Sequence, residues 1–148
     1  MELSSAVIDL GTLDPLQYKS GSLNIEIGTN AANGVVVTAR STEGGLVNQT
    51  NSGIIINNTA SDSVVDSYQF SSAANADDSS YTSFVSNGNL AATEVINAST
   101  EHTVYQTNNP EQNTGVDDVV FTVAAKPDAQ TAAGDYADVV TFTVTGNF

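Results

Sequence analysis

The sequence predicts an all-β fold: one immunoglobulin-like antiparallel β-sandwich of about 8–10 strands, spanning residues 1–148 as a single domain. Three observations lead there. Val and Ile number 24, whereas Leu and Met number 8; β-branched side chains suit a pleated, half-buried surface and lose χ1 freedom in helices. Several segments alternate apolar and polar residues with a period of two. Turn signals recur at intervals of about eight to twelve residues, the spacing of a two-sheet sandwich.

Each element follows from local chemistry. Residues 6–13 mix strand-forming side chains with a turn at Gly11, and Asp14-Pro15 ends the segment. Residues 22–27 give the cleanest strand: Leu23, Ile25 and Ile27 share one face, and Ser22, Asn24 and Glu26 share the other. Asn33-Gly34 tolerates positive φ, which makes residues 29–34 a hairpin connection. The return strand is 35–40, with Val35, Val37 and Ala39 on one side. Gly44-Gly45 breaks the chain before a short strand at 53–56. Tyr68 and Phe70 are in phase in a strand at 67–71, and the small, polar, acidic stretch 72–80 reads as a surface loop. Strand character returns at 81–86 and stops at Asn87-Gly88, and residues 89–98 are the one place a short helix fits. A strand at 101–107 leads into a turn-rich connection containing Pro110.

The last third is the most regular. Val119, Phe121, Val123 and Ala125 share a face, and Lys126-Pro127-Asp128 closes that strand. Val140, Phe142 and Val144 then alternate with Thr141, Thr143 and Thr145, and Phe148 falls in the inward phase. Tyr136, in Ala133-Gly134-Asp135-Tyr136, is a candidate tyrosine corner, its hydroxyl returning to nearby backbone while its ring packs between sheets. No fixed-period repeat is present, which argues against a solenoid.

Charge narrows the function classes. Seventeen acidic residues face three basic ones, Lys19, Arg40 and Lys126, for a net charge of −14. Phosphate neutralisation needs clustered Lys and Arg, so nucleic acid is excluded as a partner. Anionic lipid surfaces are excluded for the same reason. Three cations cannot pair seventeen anions in ion-pair networks. The chain has no cysteine, hence no disulfide, no thiolate metal site and no Cys nucleophile. Its aliphatic runs stop at three residues, such as Val35-Val36-Val37, whereas a signal-peptide core needs about seven to fifteen and a spanning helix about twenty. Membrane insertion is not expected. A Ser-, Thr- and Asn-rich, Lys-poor, Cys-free β-chain suggests an extracellular or cell-surface protein whose leader peptide is absent from this chain.

Few residues suggest chemistry, and no catalytic or cofactor-binding residue is expected. His102 is the only histidine; a triad or zinc site needs partners the chain lacks, and the residue reads as an exposed strand position. Asp77 and Asp78, near Asn75 and Ser79, offer the oxygen chemistry calcium prefers, without EF-hand spacing. They are the weak metal candidates and otherwise a solvated acidic loop, as is Asp117-Asp118. Asn48, Asn57 and Asn97 head Asn-x-Ser/Thr triplets, as many as 15 Asn and 33 Ser or Thr produce by chance. Lys19 and Asn147, with Glu26 nearby, form a conceivable isopeptide pair. Tyr68, Tyr81 and Tyr105 are the candidates for exposed rings of a sugar platform. Ala6, Val7, Ile8 and Leu10 form a possible strand-exchange segment, since unpaired strand edges accept a neighbour's strand. Most acids lie in loops and on outward faces, a solubilising coat; Asp138, near Tyr136, is the exception in an apolar phase.

Two blocks carry a family resemblance. Residues 7–40 (VIDLGTLDPL, then SGSLNIEIGTNAANGVVVTAR) resemble the opening of spore coat protein U-type domains, the sandwich subunits of archaic chaperone–usher pili. Residues 132–144 (AAGDYADVVTFTV) resemble their closing strand. The Thr-Asn-Ala-Ala-Asn-Gly hairpin and the closing Thr-Val-Thr-Gly-Asn-Phe are also similar to secreted β-sandwich surface proteins of candidate-phylum bacteria. The C-terminal block further resembles the WxL surface domain, although this chain has no Trp. Coat protein U-type domains usually carry a cysteine pair, absent here, and no long donor strand precedes Val7. The resemblance implies a non-catalytic structural or adhesive surface protein, pairing as a homo-oligomer or with other surface proteins in a filament or pilus-like assembly. The alternative is a glycan-binding β-sandwich module.

Overall fold

The computed structural model describes residues 1–57, 66–74, 96, 98, 100–110 and 119–148. Within them the chain is all-β, with ten strands in three antiparallel sheets and no helix. The strands are β1 (Glu2–Leu3), β2 (Lys19–Glu26), β3 (Val35–Ser41), β4 (Leu46–Asn48), β5 (Ile55–Ile56), β6 (Ser67–Ala74), β7 (His102–Gln106), β8 (Val119–Lys126), β9 (Tyr136–Ala137) and β10 (Val140–Gly146). The sheet orders are β1-β2-β8-β6, β10-β3-β7 and β5-β4-β9. In the third sheet β4 departs from expectation: the break at Gly44-Gly45 spans residues 42–45, and a strand follows it at once. The expected strand at 81–86 and most of the short helix at 89–98 lie outside the described residues.

Period-two patterning becomes a shared core. Leu23 and Ile25 of β2, Val35, Val37 and Ala39 of β3, and Val119, Phe121 and Ala125 of β8 belong to one buried apolar cluster. Ring contacts join the elements. Phe121 packs edge-on against Phe70 of β6 at 5.2 Å and against Phe142 of β10 at 5.0 Å, which brings the first and second sheets together. β2 pairs with β1 and β8, and β3 with β10 and β7, so residues 29–34 are not the expected hairpin. They carry the chain from the first sheet to the second and turn at Gly34, with φ of +81°. The left-handed backbone favours glycine there, and a Cβ would run into the Thr107 carbonyl.

Alternation fails in one strand for a physical reason. Val104 and Tyr105 of β7 are adjacent, yet both are fully buried. Val37 pairs with Tyr105 and Thr38 with Thr103, so Val104 is an extra residue, a β-bulge in β7.

Residues 6–13 do not form the expected strand. Only Glu2–Leu3 pairs, with Glu26 and Ile25 of β2. Beyond it, side chains capture the backbone: Val7 N–H donates to Ser5 Oγ at 3.1 Å, and Gly11 N–H donates to Asp9 Oδ1 at 2.8 Å. Such local bonds compete with a ladder.

Candidate functional site

A concavity lies under this N-terminal segment. It is a cavity of about 920 Å³ bounded by residues 5–13, by the loop 127–138, and by Leu23, Phe121, Val140 and Phe142 of the core. Ile8 and Leu10 are half-buried and pack against the core, whereas Ala6 is exposed and Val7 is 73% exposed. The proposed exchange segment therefore lies across the opening between the sheets as irregular chain.

Strand β10 forms the other wall. It pairs with β3 along all seven residues, from Val140 opposite Ser41 to Gly146 opposite Val35. Among the described residues no strand pairs with its other side. Val144 stands opposite Val37, and directly paired residues share a face. Val37 is fully buried, but Val144 is 42% exposed. Phe148, expected in the same inward phase, is 90% exposed. Apolar side chains in the core phase thus reach solvent along an open strand edge.

A polar pin crosses the core beside this groove. The Asp138 carboxylate accepts from the Ser41 hydroxyl at 2.6 Å and from the Tyr68 hydroxyl at 2.8 Å. Ser41 Oγ in turn accepts from the Gly44 N–H at 2.7 Å. Burial, then the charge and hydrogen bond of Asp138, push the Tyr68 phenol well above its ordinary value. Asp138 was legible as the acid in an apolar phase; its partners were not, since Ser41 and Tyr68 are 97 and 70 residues away. Asp66, which unlike the half-buried Asp138 is buried, accepts from the Thr131 hydroxyl at 2.6 Å and from the Asp128 N–H. It anchors the turn after β8, and nothing in the local sequence marks it.

The other candidates disperse. The Tyr136 hydroxyl donates to the Ala132 carbonyl at 2.6 Å, four residues upstream, and its half-buried ring packs against the core. His102 is half-buried rather than exposed, with the Phe70 ring edge-on at 6.3 Å. Among the described residues no group of three or more His, Asp or Glu is arranged to hold a metal ion. Asp77, Asp78, Asp117 and Asp118 lie outside those residues. Asn48 is buried, and its side-chain oxygen accepts from Thr50 and Asn51 N–H at 2.9 and 3.0 Å, so it is no surface acceptor.

Two expectations are overturned. Tyr68 and Tyr105 are not platform rings, being 1% and 0% exposed; Tyr68 is in the buried phase of β6 and Tyr105 stands opposite buried Val37, and Tyr81 lies outside the described residues. Lys19 and Asn147 do not form a pair. Lys19 opens β2 opposite Ala125, whereas Asn147 donates to Gly34 beyond the far end of that strand. Eight residues at about 3.3 Å each separate the two by roughly 25 Å.

Among the described residues the exposed tyrosine is Tyr18, at 46%. Its hydroxyl donates to Ser67 Oγ at 2.9 Å and accepts from Gln69 Nε2 at 3.2 Å. The Lys126 ammonium sits 5.5 Å from the ring centroid. The signal was the even phase of Tyr18, two residues before Ser20, which puts it on the outer face of β2.

No family model matches the chain, and no curated protein or solved structure is found similar to it.

Proposed function

We propose that this chain is a non-catalytic structural or adhesive protein of the cell exterior, its two larger sheets forming an immunoglobulin-like sandwich. It assembles by accepting a strand from a second copy at the free edge of β10. The observation that carries this reading is the exposure of Val144 in β10, and of Phe148 just beyond it in the same phase, on a strand whose second side is unpaired among the described residues. An added strand there gains ladder hydrogen bonds and covers alternate apolar side chains. The donor is the segment holding Ala6, Val7, Ile8 and Leu10. It lines the groove of its own copy as irregular chain; released from there, it adds as a strand beside β10 of a second copy and gains the ladder it lacks in its own. The net charge of −14 opposes such association until salt screens it.

Sedimentation and negative-stain electron microscopy over a salt series test this reading. The chain is expected to form multimers or filaments that strengthen with salt. Val144→Lys places a charge on the edge and abolishes them, as does deletion of residues 1–10. A monomer under all conditions, or assembly that weakens with salt, refutes the proposal.

A further inference from the structure

We propose that the outer face of the four-stranded sheet, beside Tyr18, binds a neutral pyranose sugar. The register places Ser20 opposite Ala124, Gln69 opposite Ala124 and Ser71 opposite Thr122, all in the outward phase. With Tyr18 they line a depression of about 240 Å³. That is below the ~300–1,000 Å³ of a drug-sized cleft and suits a single sugar ring.

A pyranose offers an apolar C–H face and a rim of hydroxyls. The depression offers the counterpart, one aromatic plane beside hydroxyl and carboxamide groups that both donate and accept. The ring is fixed before any ligand arrives. Tyr18 is held at its hydroxyl by Ser67 and Gln69, and Lys126 lies over the ring. A tyrosine with its two torsions already set gives contact area at low entropic cost.

Charge selects the ligand class. The chain carries 17 acids, yet the face from Tyr18 to Ser22 and across Ala124 to Gln69 and Ser71 carries none. Glu26 stands at the far end of β2. The residues lining the depression are neutral, and Lys126 stands at its edge against the Tyr18 ring, while the overall charge repels a uronate polymer. A peptide strand would seek the backbone of an edge, whereas the depression is centred on β8, whose backbone is paired on both sides, with β2 and with β6.

The test is an NMR titration of the full isotope-labelled chain with cello- and chito-oligosaccharides, with glucuronate-containing oligosaccharides as the contrast. Saturable shifts are expected at Tyr18, Ser20, Gln69, Thr122 and Ala124 with the neutral probes. Tyr18→Ala should weaken binding at least about tenfold, the loss of one anchoring ring. Ala124→Glu fills the depression and adds a carboxylate while leaving the Tyr18 hydrogen bonds in place, and should abolish binding. Val144→Lys, on the other sheet, should leave the titration unchanged, so this proposal and the assembly proposal fail independently. No shifts with any neutral probe at about 10 mM, response to the uronates alone, or undiminished binding by Ala124→Glu would overturn it.

Discussion

Strands β8 and β10 are written in the same alternating code and meet different fates. In β8 the residues Val119, Phe121, Val123 and Ala125 are all buried, with at most 5% exposure. In β10 the equivalent residues run from half-buried Val140 and Phe142 to 42% exposed Val144. The difference is neighbours. β8 has β2 on one side and β6 on the other, whereas β10 has β3 alone among the described residues. Alternation specifies which face is apolar, and the number of paired neighbours decides how completely that face is covered.

Truncation at the centre of β8 tests this most strongly. Phe121 is fully buried between Phe70 and Phe142. Phe121→Ala should cost about 3–5 kcal/mol, the transfer term plus the cavity left between the two remaining rings. Urea denaturation followed by fluorescence measures it. A cost below about 2 kcal/mol would mean that the two sheets are less tightly closed around β8 than the ring contacts imply.

The polar pin gives the next largest effect, together with a pH signature. Tyr68→Phe removes a hydrogen bond to the Asp138 carboxylate and should cost about 2 kcal/mol. The Tyr68 phenol is raised above its ordinary 10.0 in the folded state. Its unfolded form therefore loses a proton first as pH rises, and stability falls above pH 10 by up to about 1.4 kcal/mol per pH unit. Below that value the contribution is fully present. Thermal melts between pH 9 and 11.5, each compared with Tyr68→Phe at the same pH, isolate it. Equal slopes in the two proteins would show that the phenol is not protected by folding.

Tyr136→Phe tests the turn that leads into β10. It deletes the bond from the Tyr136 hydroxyl to the Ala132 carbonyl while leaving the ring in place. The expected cost is about 1 kcal/mol, read as a lowered Tm. A neutral change would assign the turn to ring packing alone.

What was legible in the sequence followed from short-range rules. The faces of β2, β3 and β8 came from a period of two, and the turn at Gly34 from Asn33-Gly34. What escaped depended on distant partners. Residues 6–13 read as a strand because Val7, Ile8 and Leu10 have strand propensity; Ser5 and Asp9 bind the adjacent backbone instead, and among the described residues no strand pairs with them. Tyr68 and Tyr105 read as surface rings because tyrosine is amphipathic. Tyr68 satisfies its hydroxyl inside, on Asp138. The bulge at Val104 reverses the phase of β7 partway, which no periodic rule anticipates. Tyr18 was overlooked because it stands just before the cleanest alternating run, although its phase already matched the outward serines.

The smallest expected effect is the most direct test of the comparison. Val144→Ala removes two methyl groups from a side chain in the core phase, as Val37→Ala would on the paired strand. Val37 is enclosed, so its truncation should cost about 1.5–3 kcal/mol. Val144 retains 42% of its exposure, so its loss in the monomer should stay within about 0.5 kcal/mol. The measurement is a denaturant midpoint at low protein concentration and low salt, where charge repulsion keeps copies apart. Repeated at higher concentration, the Val144 variant should fall behind the parent, because a strand added from a second copy buries Val144 only in the assembly. A large cost that is independent of concentration would place a cover over β10 within the single chain, and the two strands would then differ in degree rather than in kind.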